Sequence, residues 1–210
     1  MLKAVQSTLS LFTFLLLVAS CQVKSAQSVT VASKTDPTAS PSEARSTEGR
    51  EPLKLPLRAP KIVVKKAQRQ LQLFSGDKLV RTYRIGLGLN PVGDKVRAGD
   101  RRTPEGEFYI FTKNDKSAFY LSLGLSYPNA AHAERGLRDG LITRAQYDAI
   151  MRALRAKKAP PRNTHLGGDI YIHGNGAQSD WTWGCVALEN EDIRELFGAV
   201  NVGTPVTIEP

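Results

Sequence analysis

The chain has 210 residues, 41% of them hydrophobic, which supports one core of ordinary size without requiring a second domain. It carries 29 Lys and Arg against 20 Asp and Glu, for a formal net charge of +9, and only two cysteines, Cys21 and Cys185, which are not read as a disulfide pair. A basic surface suits anionic envelope polymers and lipid headgroups, and equally serves solubility.

At the start of the chain, Lys3 supplies a positive n-region, Leu9 to Ala19 an apolar run, and Val18-Ala19-Ser20-Cys21 a small-residue end. Residues 1–20 therefore read as an export signal. A bilayer span takes roughly 20 apolar residues, so a permanent transmembrane helix is the weaker reading. In one alternative, cleavage after Ala26 removes Cys21 with the signal. Export makes nucleic acid an unexpected partner. It also makes an unpaired Cys185 a liability unless the protein uses it.

From Gln22 to Pro60 the composition turns to Ser, Thr, Ala, Pro and scattered charge, which predicts a disordered tether over 22–60 and a folded domain over 61–210. Strands are expected at Lys61–Lys66, Arg69–Phe74 and Leu79–Ile85, with a turn at Ser75-Gly76-Asp77. Gly86, Gly88 and Gly93 read as loop glycines, since no GxxxxGK[ST] pattern accompanies them. After the polar turn Asp100–Gly106, further strands are expected at Glu107–Thr112 and Phe119–Leu123.

Between about 130 and 158 the period changes to about 3.6, with Leu141, Ile142, Tyr147, Ile150, Met151 and Leu154 near one face and Thr143 as the expected N-cap. This predicts a helical insertion ended by Pro160-Pro161. Strands come next at Asp169–Ile172 and Cys185–Leu188, then a short helix over Glu191–Val200 capped by Asn190, and a closing strand at Thr204–Ile208. Short strands at close spacing with grouped helices predict a mainly β fold, a sandwich or partly open barrel with a helical insertion and a short C-terminal helix.

The chemistry concentrates in Gly167–Ile193. His173 lies at the end of one expected strand and Cys185 opens the next, with eleven residues between them. Neighbouring strands joined by such a loop bring an imidazole and a thiol together, as an activated sulfur nucleophile requires. A thiol near its reference value of roughly 8.5 is mostly protonated at neutral pH and needs a nearby base or cation, for which His173 is the candidate. Of the other histidines, His132 is expected on the surface and His165 in the same cleft as a substrate contact. No CxxC or HxxxH spacing occurs, so neither a metal nor another cofactor is expected. A carbonyl at Gly174 or Asn175 is a simpler orienter for the imidazole than Asp169 or Asp180. The amides around Trp183, Gly184 and Cys185 are expected to form an oxyanion hole. Of Trp181 and Trp183, one is expected in the core and the other as a cleft wall.

Two resemblances sharpen this reading. Val18-Ala19-Ser20-Cys21 resembles a bacterial lipobox, which implies lipidation of Cys21; Gln22 after it implies an outer-membrane anchor facing the periplasm. His173-Gly174 followed by Thr182-Trp183-Gly184-Cys185-Val186 resembles the IHG and [ST]xGC[IV] signature of the L,D-transpeptidase catalytic family, also called the YkuD family. The likeness extends through RTYRIGLG, TPEGEF, LSLGLSYPN, LGGDIYIHG and GTPVTI. It implies a cysteine acyl-enzyme on peptidoglycan stem tetrapeptides, with Cys185 as nucleophile, His173 as acid and base, the Gly174 carbonyl as orienter, and Thr182, Trp183 and Gly184 shaping the oxyanion site. The short His-to-Cys loop and Ala187 depart from members that carry Arg or Asn at that place, while the DWTWGCVAL form and the helical insertion resemble a subgroup with hydrolases that release a covalently attached lipoprotein. A catalytically inactive, lipid-anchored peptidoglycan-binding module is the third reading. The chain is expected to act as a monomer.

Overall fold

The computed structural model describes residues 50–210. The expected signal, Cys21 and the tether up to residue 49 lie outside the described residues. The elements run β1 (Pro60–Lys65), β2 (Gln70–Ser75), β3 (Lys78–Arg84), β4 (Gly106–Ser117), β5 (Tyr120–Leu125), α1 (Ala130–Arg138), α2 (Arg144–Arg155), β6 (Tyr171–His173), β7 (Val186–Ala187), α3 (Asn190–Ala199) and β8 (Pro205–Glu209).

All eight strands join one sheet in the order β3-β2-β1-β8-β4-β5-β6-β7. The sheet curls until the segment after β3 meets its far edge, through isolated bridges from Gly86 to Ala187 and from Gly88 to Thr182. The fold is thus the mainly β, partly open barrel the sequence predicts. The closure demands glycine: a Cβ on Gly88 would stand 2.1 Å from the carbonyl oxygen of Arg101.

Strand alternation builds the core row by row. Ile62 of β1 pairs with Leu73 of β2 on one side and with Val206 of β8 on the other, and Val206 pairs in turn with Phe108 of β4. Every member of that row is buried. Each such side chain contributes about 1.5–3 kcal/mol of burial free energy. From α3, Ile193 and Leu196 seal the same core.

The helical insertion consists of two helices, broken at Gly140 (φ +71), with Thr143 capping α2 as expected through a capping box with Gln146. Ala133, Ile142, Ile150 and Leu166 form a separate small core beneath these helices. Four expectations need correction. The expected tether ends before residue 60, because Arg50 pairs with Asp192 at 2.8 Å and Leu53 and Leu57 pack on the core. β4 extends five residues beyond Thr112 to Ser117, its polar second half being held by pairing with β5 rather than by burial. Asn190 does not cap α3; Glu189 is the N-cap, and the Asn190 side chain instead accepts from the Asn175 amide at 2.8 Å. Asp169 (φ +56) precedes β6 and takes no part in it.

Candidate active site

β6 and β7 are parallel neighbours, pairing Ile172 with Val186 and His173 with Ala187. Side chains alternate across a strand, and Ile172 and Val186 both point into the core. Tyr171, His173 and Cys185 therefore face the other side, where a cavity of ≈ 330 Å³ opens. The row extends through Ser122, which pairs with His173, to Asn114, which pairs with Ser122, and both also line the cavity. Sheet register alone thus brings the imidazole and the thiol into one cavity.

The His173 ring is 3% exposed and held on three sides. The Phe119 ring lies tilted against it at 4.6 Å between centroids, and Trp181 meets it edge-on at 5.5 Å. Its Nδ1 lies 2.8 Å from the carbonyl oxygen of Gly174, which can only accept. In the neutral ring the proton therefore sits on Nδ1, and Nε2 keeps its lone pair. The Gly174 amide is fixed in turn on the Phe119 carbonyl at 3.0 Å. Burial lowers the His173 pKa below its ordinary 6.5, with the Gly174 bond opposing the shift.

Cys185 Sγ accepts from the Tyr171 amide at 3.4 Å and donates to the Asp169 carbonyl at 3.5 Å. Burial pushes the thiol up to about 11; the Tyr171 amide and Lys95 pull it down, and Asp169 pushes it further up. Both directions oppose a standing thiolate–imidazolium pair. The resting cavity holds a neutral thiol and a neutral imidazole with a bare nitrogen.

The turn before Cys185 is fixed by two buried hydroxyls. Thr182 Oγ1 donates to the Cys185 carbonyl at 2.8 Å and accepts from the Gly184 amide at 3.1 Å. Thr103 Oγ1 approaches the same carbonyl at 3.5 Å and accepts from the Gly88 amide at 3.0 Å. Gly184 has φ +127, and a Cβ there would stand 2.6 Å from the Arg102 carbonyl oxygen. The Gly184 amide, expected in an oxyanion hole, is thus committed to Thr182. The amides of Trp183 and Cys185 meet no acceptor among the described residues.

Other sequence candidates separate from the cavity. Trp181 is half-buried behind the imidazole, its Nε1 donating to the Gly176 carbonyl at 3.1 Å, and does not line the cavity. Trp183 is 69% exposed, with the Arg101 guanidinium 5.0 Å from its ring centroid. His165 is exposed and outside the cavity lining. His132, expected on the surface, is 2% exposed, its ring nitrogens at 2.5 Å from Asn129 and 3.0 Å from Asp94. Asp180 is held by Arg69 and the Leu87 amide. Among the described residues no group of three or more His, Cys, Asp and Glu side chains is placed to hold a metal ion.

Sequence reading missed Phe119, Lys116 and Asn114, which the β4–β5 hairpin brings over the cavity, and the buttressing Thr103. The TPEGEF stretch drew attention to the segment of Thr103 but not to its hydroxyl. Nothing local marks Phe119 as a partner of a histidine fifty-four positions later.

The L,D-transpeptidase catalytic domain (YkuD) profile matches residues 59–208. Among solved structures, the helical cell shape determining protein Pgp2 (K307A mutant) from Campylobacter jejuni is 22% identical, with a TM-score of 0.50 over 73% of this chain and 47% of that one. An L,D-transpeptidase (residues 123–326) from Xylanimonas cellulosilytica is 15% identical, with a TM-score of 0.44 over 77% of this chain and 66% of that one. At these identities the likeness is one of fold, and the chain spans about half the length of the Pgp2 structure. No curated protein matches the chain. With the profile covering nearly all of the described residues, the chain belongs to the L,D-transpeptidase catalytic domain family.

Proposed function

We propose that this protein is a peptidoglycan L,D-transpeptidase that works through an acyl-enzyme on Cys185. The observation that carries the reading is the shared cavity, which Cys185 and His173 both line, with His173 Nδ1 tied to the Gly174 carbonyl. The sulfur attacks the carbonyl carbon of the third residue of a stem tetrapeptide while its proton passes to His173 Nε2. The developing oxyanion is met by the amides of Trp183 and Cys185. Collapse breaks the C–N bond, and His173 returns the proton to the departing amine of D-alanine. An acceptor amine then attacks the thioester, giving its proton to His173 and restoring the thiol. Neutral partners at rest suit this course, since one proton transfer creates both charges together in a site where neither alone is favoured.

Hydrolysis of the same acyl-enzyme is the second reading, supported by the DWTWGCVAL form around Cys185 and by the helical insertion. Incubation with muropeptides followed by mass analysis separates the two: cross-linked dimers mark transfer, and shortened monomers or released peptide mark hydrolysis. Neither product from wild type, or product from Cys185→Ala, would remove the nucleophile assignment. The same proposal has the domain on the periplasmic face, anchored in the outer membrane through Cys21. Palmitate labelling lost in Cys21→Ala tests the anchor.

A further inference from the structure

We infer that Lys116 is a specificity-determining residue, reading a substrate carboxylate on one of the two residues that flank the scissile bond. This rests on Cys185 being the nucleophile of the cavity. Asn114 and Lys116 stand two apart on β4, and both line the cavity that holds Cys185 and His173. The Lys116 amide donates to Asn114 Oδ1 at 2.9 Å where the β4–β5 pairing shifts register, which fixes the backbone from which the lysine projects.

The charge balance of the cavity is uneven. Lys116 is the cation among its lining residues and forms no ion pair among the described residues. Asp169 is the anion of that lining, and its carboxylate is already paired with Arg162 at 3.1 Å. The ammonium is left over, in a cavity whose thiol and imidazole are both neutral at rest. A cavity of ≈ 330 Å³ with one unmatched positive charge at its hairpin wall favours an anionic group on whatever peptide lies across Cys185. For an acyl donor two carboxylates fall within such a cavity: the C-terminal carboxylate of the leaving residue, and a side-chain carboxylate on the residue that becomes the acyl group. Both present the same chemistry to an ammonium, and substrate analogues distinguish them.

The test uses three stem tetrapeptides with a D-amino acid as acceptor: one with diaminopimelate at the third position and a free D-alanine terminus, its D-alaninamide counterpart, and one with lysine, which lacks the side-chain carboxylate, at the third position. Release of the terminal residue is followed for wild type, Lys116→Ala and Lys116→Arg. Wild type is expected to prefer the fully acidic peptide over one of the other two by about fivefold in kcat/KM, the value of a partly exposed charge pair, mostly through KM. Lys116→Ala erases that preference and Lys116→Arg restores it. The wild-type preference shrinks as salt rises from about 0.05 M to about 0.5 M, where screening shortens from roughly 14 Å to about 4 Å. Equal preference in wild type and Lys116→Ala, or none in wild type, overturns the role of Lys116 and leaves the nucleophile standing. No release from any of the three peptides by folded wild type overturns the nucleophile reading and the role of Lys116 with it.

Discussion

The hydroxyl of Thr182 donates to the carbonyl of Cys185 at 2.8 Å while accepting from the amide of Gly184 at 3.1 Å, so one buried side chain clamps the turn at two successive residues. Replacing it with valine keeps the volume and removes both bonds, leaving a part-buried carbonyl with only the longer contact from Thr103 and a buried amide with none. Thr182→Val is expected to destabilise the domain by about 2 kcal/mol and to lower kcat more than it raises KM. Thr182→Ser keeps the hydroxyl and should recover most of the activity. Thermal melts and steady-state kinetics on the pair check this; equal loss in both variants would assign the effect to the methyl group instead.

Cys185 alkylation reports the resting charge state. A thiol raised to about 11 by burial gives an iodoacetamide rate that climbs with pH through the neutral range, tenfold per unit, whereas a standing ion pair gives a plateau reaching down to acid. The climbing profile is expected. On the proposed mechanism, turnover is limited on the acid side by His173, whose protonated form has no lone pair to accept the proton. Its pKa is lowered, so the acid limb of kcat/KM falls below pH 6.5 and activity is lost as pH drops through that lowered value. An acid limb above 6.5 would contradict the burial argument.

Phe119 links that limb to the aromatic seat. It is 43% exposed on its outer side while its ring lies 4.6 Å from the imidazole. Phe119→Ala opens His173 to water, so its pKa rises toward the ordinary value and the acid limb shifts to higher pH. A loss of about three- to tenfold in kcat is expected from the freed ring, in the range of one weakened aromatic contact. Phe119→Leu, which still excludes water, should shift the limb less. Identical limbs in all three proteins would show that Trp181 and the Gly174 bond seat the ring without Phe119.

Alternation and turn chemistry made the strands legible, and the spacing of His173 and Cys185 marked the pair before any geometry was known. Those signals are local. The barrel's closure was not legible, because it rests on Gly86 and Gly88 meeting β7 and its preceding turn, about a hundred positions later. The bond from the Gly184 amide to a hydroxyl two residues away was not legible either, because periodicity carries no information about such bonds. His132 was misjudged for a related reason: it lies on an amphipathic helix among charged residues, yet its ring is drawn inward by Asn129 and Asp94.

Asp94 joins those distant parts. Its carboxylate takes the His132 ring at 3.0 Å, Arg135 at 2.8 Å and the Glu105 amide at 2.8 Å, tying α1 to the loop that supplies Arg102 behind Gly184. Burial alone would raise its pKa, but the donors from His132, the Glu105 amide and Arg135 outweigh it and hold the carboxyl well below the usual carboxylate range. The folded pKa being depressed, the stability from Asp94 is present in full above its unfolded value of about 3.9 and is lost as pH falls toward the folded one. Asp94→Asn is therefore expected to lower stability by about 2 kcal/mol at pH 7, since it removes the charge while keeping the shape. The gap between wild type and variant should narrow as pH drops below about 4, because the wild-type carboxyl then also begins to lose its charge-dependent advantage. Denaturant melts of both proteins at a series of pH values measure that gap directly. Parallel curves down to the lowest pH would mean that the carboxylate's charge contributes nothing there and that geometry alone joins α1 to the loop.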